Sequence, residues 1–400
     1  MTAAPARPDR TALAGLTWDH PRGHQPLETL ERLDEAGTAT YGTVPVPLHW
    51  ERQPLEGFEA EPLDELTERY DVLVVDHPGL GEAVERHCLV PMDELFDAEE
   101  LARWRAGTAG PSFASYDLGR PWALPMDAAT QVAVRRPDLL PASEVPDTWP
   151  QVLELSGRRP VAVCLGGPHA LLMFSSLCVA AGGEPALGPD GYVPRATGLA
   201  VLDLMARLLG RADRELAARN PIGVLEAMAR EDGPAYCPLV YGYVTYQVPD
   251  GGRRALAAGD APSWTPGGRR GSVLGGTGLA VSRRCQDLDG VRAHLRRLMS
   301  VPVQRELFPQ AGGQPASEAA WRDPAVDARW GGFYGATRAT LDAAWVRPRF
   351  AGWIPFQQRA SALLRDGLLS GADHAGLLDR LDRAFLDAAG TALPAAPAPA

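Results

Sequence analysis

Lysine is absent: all 39 basic residues of the chain are arginine. That excludes a Schiff-base lysine, a phosphate-loop lysine and a lysine general base. Cysteine is scarce, and its five copies, Cys88, Cys164, Cys178, Cys237 and Cys285, are scattered, odd in number and form no Cys-x-x-Cys pair. Neither a zinc site nor a disulfide framework is indicated, so no metal is expected. The Gly-x-Ser-x-Gly nucleophile elbow is missing, as is the glycine-rich dinucleotide fingerprint, so an enzyme built on this chain would work without a cofactor. No apolar run is long enough to span a bilayer, and no membrane insertion is expected. The opening MTAAPARPDRTALAGL lacks an apolar core of signal-peptide length, and no cysteine before Cys88 offers a lipidation site.

What is present describes a globular protein of more than one lobe. The chain has 400 residues, 45% of them hydrophobic, and a mean hydropathy of −0.16. That length exceeds what one simple core accommodates. A formal net charge of −11 and a pI near 5.3 argue against nucleic acid or an anionic membrane as partner.

The most informative stretch is Gly15-Leu16-Thr17-Trp18-Asp19-His20-Pro21-Arg22-Gly23. It places an indole, a carboxylate, an imidazole and a guanidinium within five positions. Residues 11–16 alternate like a short strand, and 26–33 carry apolar residues at helical spacing. A strand passing into a helix through a Pro- and Gly-containing turn is how open α/β sheets display ligand-binding side chains at their carboxyl edge. Trp18 as a core aromatic and Asp19 as a plain turn residue are the structural alternatives.

Further on, 40–48 alternates and predicts a second strand, its prolines marking an edge. Residues 62–70 predict a short helix feeding 71–75 (DVLVV), an apolar run suited to a central parallel strand. That strand ends in Asp76-His77-Pro78-Gly79, a second polar display at the same sheet edge. Asp76 as a cap for a helical turn is its structural alternative. Helices are expected over 80–87, 167–182, 197–209, 221–229 and 288–299, a buried strand over 160–165, a Gly/Pro/Arg loop over 249–270, and a helical C-terminus over 356–388. Residues 1–10 read as a disordered lead-in and 391–400 (TALPAAPAPA) as a Pro/Ala tail.

Tyr70 to Asp76, a helix, and then Leu89-Val90-Pro91-Met92-Asp93 resemble a passage of the bacterial family 1 extracellular solute-binding proteins, the sugar-binding components of ABC importers. The likeness continues in order through Trp122-Ala123-Leu124-Pro125-Met126-Asp127, Arg136 to Leu140 with Pro146-Asp147-Thr148-Trp149, Gly276 to Ser282, and Gln304 through Gly312-Gly313-Gln314-Pro315-Ala316. It spans residues 12 to about 345.

The resemblance implies an α/β, two-lobed, type 2 periplasmic-binding-protein-like fold with hinge-crossing segments and a helical C-terminus. One lobe would comprise 11–127 and 275–315, the other 128–274 and 316–390. The lobes would close on a sugar-like or other polar small molecule, with an ABC permease as a further partner. Sugars are held by aromatic planes and by carboxylates or amides on their hydroxyls. Trp18, Asp19, His20, Arg22, Asp76 and His77 supply such groups from the first lobe. Asp127 and Gly276 stand at the crossing, Tyr241 and Tyr243 close a strand of the second lobe, and Trp330 and Trp353 fall at late cleft positions, each with core packing as its alternative.

The departures from the family open further readings. A typical importer component carries a signal peptide or a lipidated cysteine. As written the chain predicts a cytoplasmic protein, whereas a missed upstream start would make it extracytoplasmic. Export by another route, or reuse of the fold inside the cell, would also account for the missing signal. Reuse would suit a cytoplasmic, cofactor-independent enzyme working on a small polar or acyl substrate, with His20 as general base and Asp19 as its orienter or acid. A regulatory binding subunit is a third reading.

Overall fold

The computed structural model describes residues 12–390 apart from 187 and 189; the expected lead-in and Pro/Ala tail lie outside the described residues. Eight strands form the sheet framework: β1 (Leu13–Trp18), β2 (Leu48–Gln53), β3 (Val72–Val75), β4 (Leu89–Val90), β5 (Leu124–Arg135), β6 (Tyr236–Tyr241), β7 (Ala257–Gly259) and β8 (Leu274–Ser282). Their order is β2-β1-β3-β8-β5-β6, with β4 on β8 and β7 on β5. β1 runs parallel to β2 and β3, and the remaining pairs are antiparallel. β3 is the buried central strand expected of 71–75, all four of its residues being inside, but it is parallel only to β1 and runs antiparallel to β8.

Two strands belong to both lobes. The first half of β5 pairs with β8 from Leu124↔Leu279 to Thr130↔Leu274, and its second half pairs with β6 and β7. A twelve-residue strand thus leaves one core and enters another. The first core gathers Leu13, Trp18, Val72, Met126, Leu279 and Leu295. The second gathers Leu171, Phe174, Leu202, Phe356, Leu377 and Phe385, around a helix, His169–Ala180, buried at every position. A smaller cluster with Trp321, Trp330 and Phe333 packs on Ala128, Val244 and Leu274, where the crossing strands pass.

Several boundaries move, each for a local reason. The strand expected over 40–48 lies at Leu48–Gln53, because Pro45 and Pro47 lack the N–H groups a ladder needs. The first helix begins at Pro21, not Pro26: proline suits the first helical position, and His20 caps the turn by accepting the Arg22 N–H at 3.1 Å on Nδ1. Residues 160–165 bond to their neighbours, Ala162 N to Tyr236 O and Leu165 N to Ala217 O at 2.8 Å each, without forming a regular strand. The C-terminus is two helices, Trp353–Ser370 and His374–Ala389, broken at Gly371, whose φ of 69° favours glycine.

Trp18 corrects one expectation. Only 2% exposed, it packs in the first core, stacked 5.3 Å from Phe58 and lying over Gly23, where an added Cβ would come within 2.5 Å of its ring. An apolar surface of that size is better covered by the first lobe than left facing a crevice. Trp18→Ala should therefore lower unfolding free energy by about 3–5 kcal/mol in denaturant titrations. A loss below about 1 kcal/mol would contradict its place in the core.

Candidate functional site

After β1, the four clustered side chains separate. Asp19 turns to the surface, 60% exposed, where it meets Arg52 at 3.4 Å and His24 at 3.9 Å. His20 turns inward, its ring edge-on to Tyr243 of the second lobe with centroids 4.6 Å apart. The expected Asp19–His20 acid/base pair is thus not assembled: the carboxylate engages other partners, and Nδ1 of the imidazole is occupied as a cap. Arg22 is buried and forks onto Asp127, with Nε 2.8 Å from Oδ2 and Nη2 on Oδ1. Its Nη1 reaches Gly242 O at 3.1 Å, so one guanidinium joins the first helix, the crossing strand and the second lobe.

After β3, Asp76 and His77 stand side by side as expected, and a residue not anticipated from the sequence joins them. Arg347 Nη2 lies 2.9 and 2.7 Å from the two Asp76 oxygens, and its Nη1 reaches Gln357 Oε1 at 3.2 Å. Arg347 follows Trp345, which is tied to β8 through Leu274 N to Trp345 O at 2.8 Å. His77, fully buried, meets the Tyr116 ring edge-on at 6.2 Å. From the second lobe, His169 opens its buried helix and meets Tyr241 edge-on at 5.8 Å. Tyr241 is half-buried, lies over Gly275 and donates weakly to Leu274 O at 3.4 Å. Three histidine–tyrosine pairs thus form: His77–Tyr116 and His169–Tyr241 are each made within one part of the chain, and His20–Tyr243 joins the two.

The crossing carries two further predicted residues. Gly276 has φ of 90°, and a Cβ there would stand 2.4 Å from Asp127 O. Glycine lets β8 turn tightly against β5 where the register shifts between Pro125 and Asp127. Trp330 and Trp353 correct the remaining site expectations. Trp330 is buried with its indole N–H on Pro309 O at 3.0 Å, and Trp353 sits in the second core with its N–H on Gln357 Oε1 at 3.3 Å. Both are packing residues, held by one polar atom each. Arg347, Gln357, Tyr116 and His169 were missed as site residues; the alternating arginines of Trp345-Val346-Arg347-Pro348-Arg349 in a stretch with no helical period were the available signal.

No family profile matches the chain, and no curated protein matches it in sequence. Solved structures do match over nearly its whole length. Maltose-bound MalE3 of T. maritima superposes with a TM-score of 0.75 at 16% identity, covering 94% of this chain and 98% of its own. An ABC transporter solute-binding protein from Agrobacterium radiobacter, in complex with ribitol, gives 0.75 at 17% identity, covering 95% and 98%. Another, from Thermotoga lettingae with bound α-D-tagatose, gives 0.74 at 15%, covering 95% and 100%. The chain has the two-lobed periplasmic-binding-protein fold. Two of the contacts above, His20–Tyr243 and Asp76–Arg347, join the chain before Asp127 to the chain after it.

The electrostatics of this inter-lobe seam favour neutral imidazoles. Burial, reinforced by Arg22 and His24, pushes His20 down to about 3. Burial and then Arg347 push His169 to about 3 and His77 to about 4, in the second case against the pull of Asp76. Burial alone would raise the Asp76 carboxyl, but Arg347 and the bond to His77 hold it at about 2. The seam therefore offers two carboxylates, each paired with an arginine, and uncharged rings, a set suited to hydroxyl groups and ill-suited to general-base catalysis near neutrality. The described residues with ligand atoms close enough for a metal, Glu31, Glu35 and His49, lie on the outer face of the first helix and β2, away from the seam.

Because each of the three histidines binds its proton less readily folded than unfolded, their contribution is complete above the ordinary value of 6.5 and is lost as pH falls through 6.5 toward 4. The thermal midpoint should fall steadily from pH 7 to pH 5. His20→Asn, which keeps a cap acceptor but does not titrate, should flatten part of that slope. A midpoint independent of pH across this range would contradict the burial of neutral imidazoles.

Proposed function

We propose that the chain is a solute-binding component that captures a sugar or other polyhydroxylated small molecule between its lobes and hands it to an ABC permease. The observation that carries this reading is the meeting of hydroxyl-bonding groups from both lobes, Asp76 and His77 from one and Arg347, Tyr241 and His169 from the other, at the crossing of a two-lobed binding-protein fold. The sugars and polyols bound by its structural neighbours support the same chemical class. We take 11–127 with 275–315 as one lobe and 128–274 with 316–390 as the other, consistent with the two apolar cores. A component of this kind works outside the inner membrane, and fractionating the source cells tests that placement.

The enzyme alternative rested on Asp19 and His20, and the separation of those side chains leaves it without a catalytic pair. Binding is tested by thermal shift and calorimetry against a panel of monosaccharides, polyols and disaccharides. A ligand at a hundred times its Kd should stabilise the folded chain by about 2.7 kcal/mol. A panel in which no sugar or polyol moves the midpoint at millimolar concentration would overturn the reading.

A further inference from the structure

The seam has the polar groups a sugar site needs but, among the described residues, lacks an open aromatic platform. Trp18, Trp330 and Trp353 are buried in apolar clusters, and the rings at the seam, Tyr116, Tyr241 and Tyr243, are each engaged edge-on by a histidine. Long oligosaccharides gain much of their binding from successive ring faces stacked on free aromatic planes. A small hydroxylated ligand depends instead on directed hydrogen bonds, where a charged acceptor contributes roughly twice what a neutral one does.

Asp76 is such an acceptor, and it is built for the role. Arg347 approaches it from the other lobe through a single nitrogen, Nη2, which reaches both oxygens, so the contact is end-on and not the two-nitrogen fork that would saturate the carboxylate. Oδ1 also takes the His77 N–H at 2.9 Å, whereas Oδ2 takes only Arg347. Asp76 keeps 19% of its side chain exposed. Beside it, the His77 ring is fully buried; Nδ1 lies 3.2 Å from Asp76 Oδ1, and neither Nδ1 nor Nε2 makes a hydrogen bond among the described residues. The neutral tautomer that the nearby carboxylate favours carries its proton on Nδ1, which leaves Nε2 as an acceptor. An unpaired buried polar atom is costly unless something satisfies it.

Resting on the solute-binding reading above, we propose that Asp76 Oδ2 and His77 Nε2, aligned across the lobes by Arg347, form the subsite that accepts two neighbouring hydroxyls of a five- or six-carbon sugar or polyol, and that the chain selects such monomers over oligosaccharides. The two acceptors come from consecutive residues at the end of β3, so their spacing is set by rigid backbone. Arg347 serves as a positioning residue: it fixes the carboxylate and couples ligand contact on one lobe to the other.

Calorimetry with ribitol, D-tagatose, D-glucose, maltose and maltotriose tests this. At least one monomer should bind at least about tenfold more tightly than maltose or maltotriose. Asp76→Asn should weaken that monomer by about thirtyfold or more, the loss expected for a hydrogen bond to a charged group. Arg347→Lys should give a smaller loss with an unchanged unfolding midpoint. If Asp76→Asn does not fold, His77→Phe, which keeps the ring and removes the acceptor, decides the same point. Maltose or maltotriose binding as tightly as the monomers, or wild-type affinity in the folded variants, would overturn the monomer subsite while leaving sugar binding intact. Failure of every sugar, monomeric and oligomeric, would overturn the solute-binding reading itself.

Discussion

The buried fork between Arg22 and Asp127 ties the first helix to the crossing strand at the point where the chain passes from one lobe to the other. Two charges with almost no solvent contact are tolerable only because each satisfies the other, and removing one would strand its partner at a cost of about 3–5 kcal/mol. The third bond, from Arg22 to Gly242 O, extends that constraint to the second lobe. The neighbouring backbone is held in the same region: Gln314 donates to Ala128 O at 2.9 Å and accepts from Val244 N at 3.1 Å, so a third chain segment joins β5 to the turn after β6. The seam depends on this frame, because the strand ends that carry His20, Asp76 and Tyr241 are oriented only if the crossing is rigid.

Hinge motion and rigidity are divided along the chain in a physically sensible way. Gly276, at positive φ against Asp127 O, permits a tight approach that a side chain would block. The lobes themselves are stiff, each with its own apolar core. Polar contacts join them outside the crossing: Arg347 to Asp76, Arg22 to Gly242 O, Arg349 to the carbonyls of Ala114, Ser115 and Asp117, and the His20 ring against Tyr243. Polar contacts of this kind exchange readily for bonds to water or to a ligand, whereas an apolar interface of equal area would hold the lobes shut.

Much of the fold was legible in the sequence, and less of the site. The apolar run 72–75 followed directly from its composition, and the helices expected over 26–33 and 288–299 are present at Pro21–Glu35 and Leu288–Leu298, the first without the separate turn expected before it. The order of the importer-like motifs gave the two-lobed architecture. The site was harder because local sequence does not distinguish a side chain that turns inward from its neighbour that turns out. Trp18, Asp19, His20 and Arg22 are adjacent in the chain, yet one enters the core, one faces solvent, one caps a helix and meets the second lobe, and one pairs with a residue 105 positions away. Arg347 was invisible for the opposite reason: its partner, Asp76, is 271 positions distant, and nothing near it announces a carboxylate. Trp330 and Trp353 were placed at the cleft by resemblance, and the packing of their rings overrode that.

Small-angle X-ray scattering of the sugar-free native chain and of Arg347→Ala, both at neutral pH, tests most directly whether a polar seam holds the lobes together. If the Asp76–Arg347 contact joins them, the variant will show the larger radius of gyration and will contract when a bound sugar bridges the lobes. Equal radii for the two proteins, with the variant folded, would contradict a seam that depends on this pair.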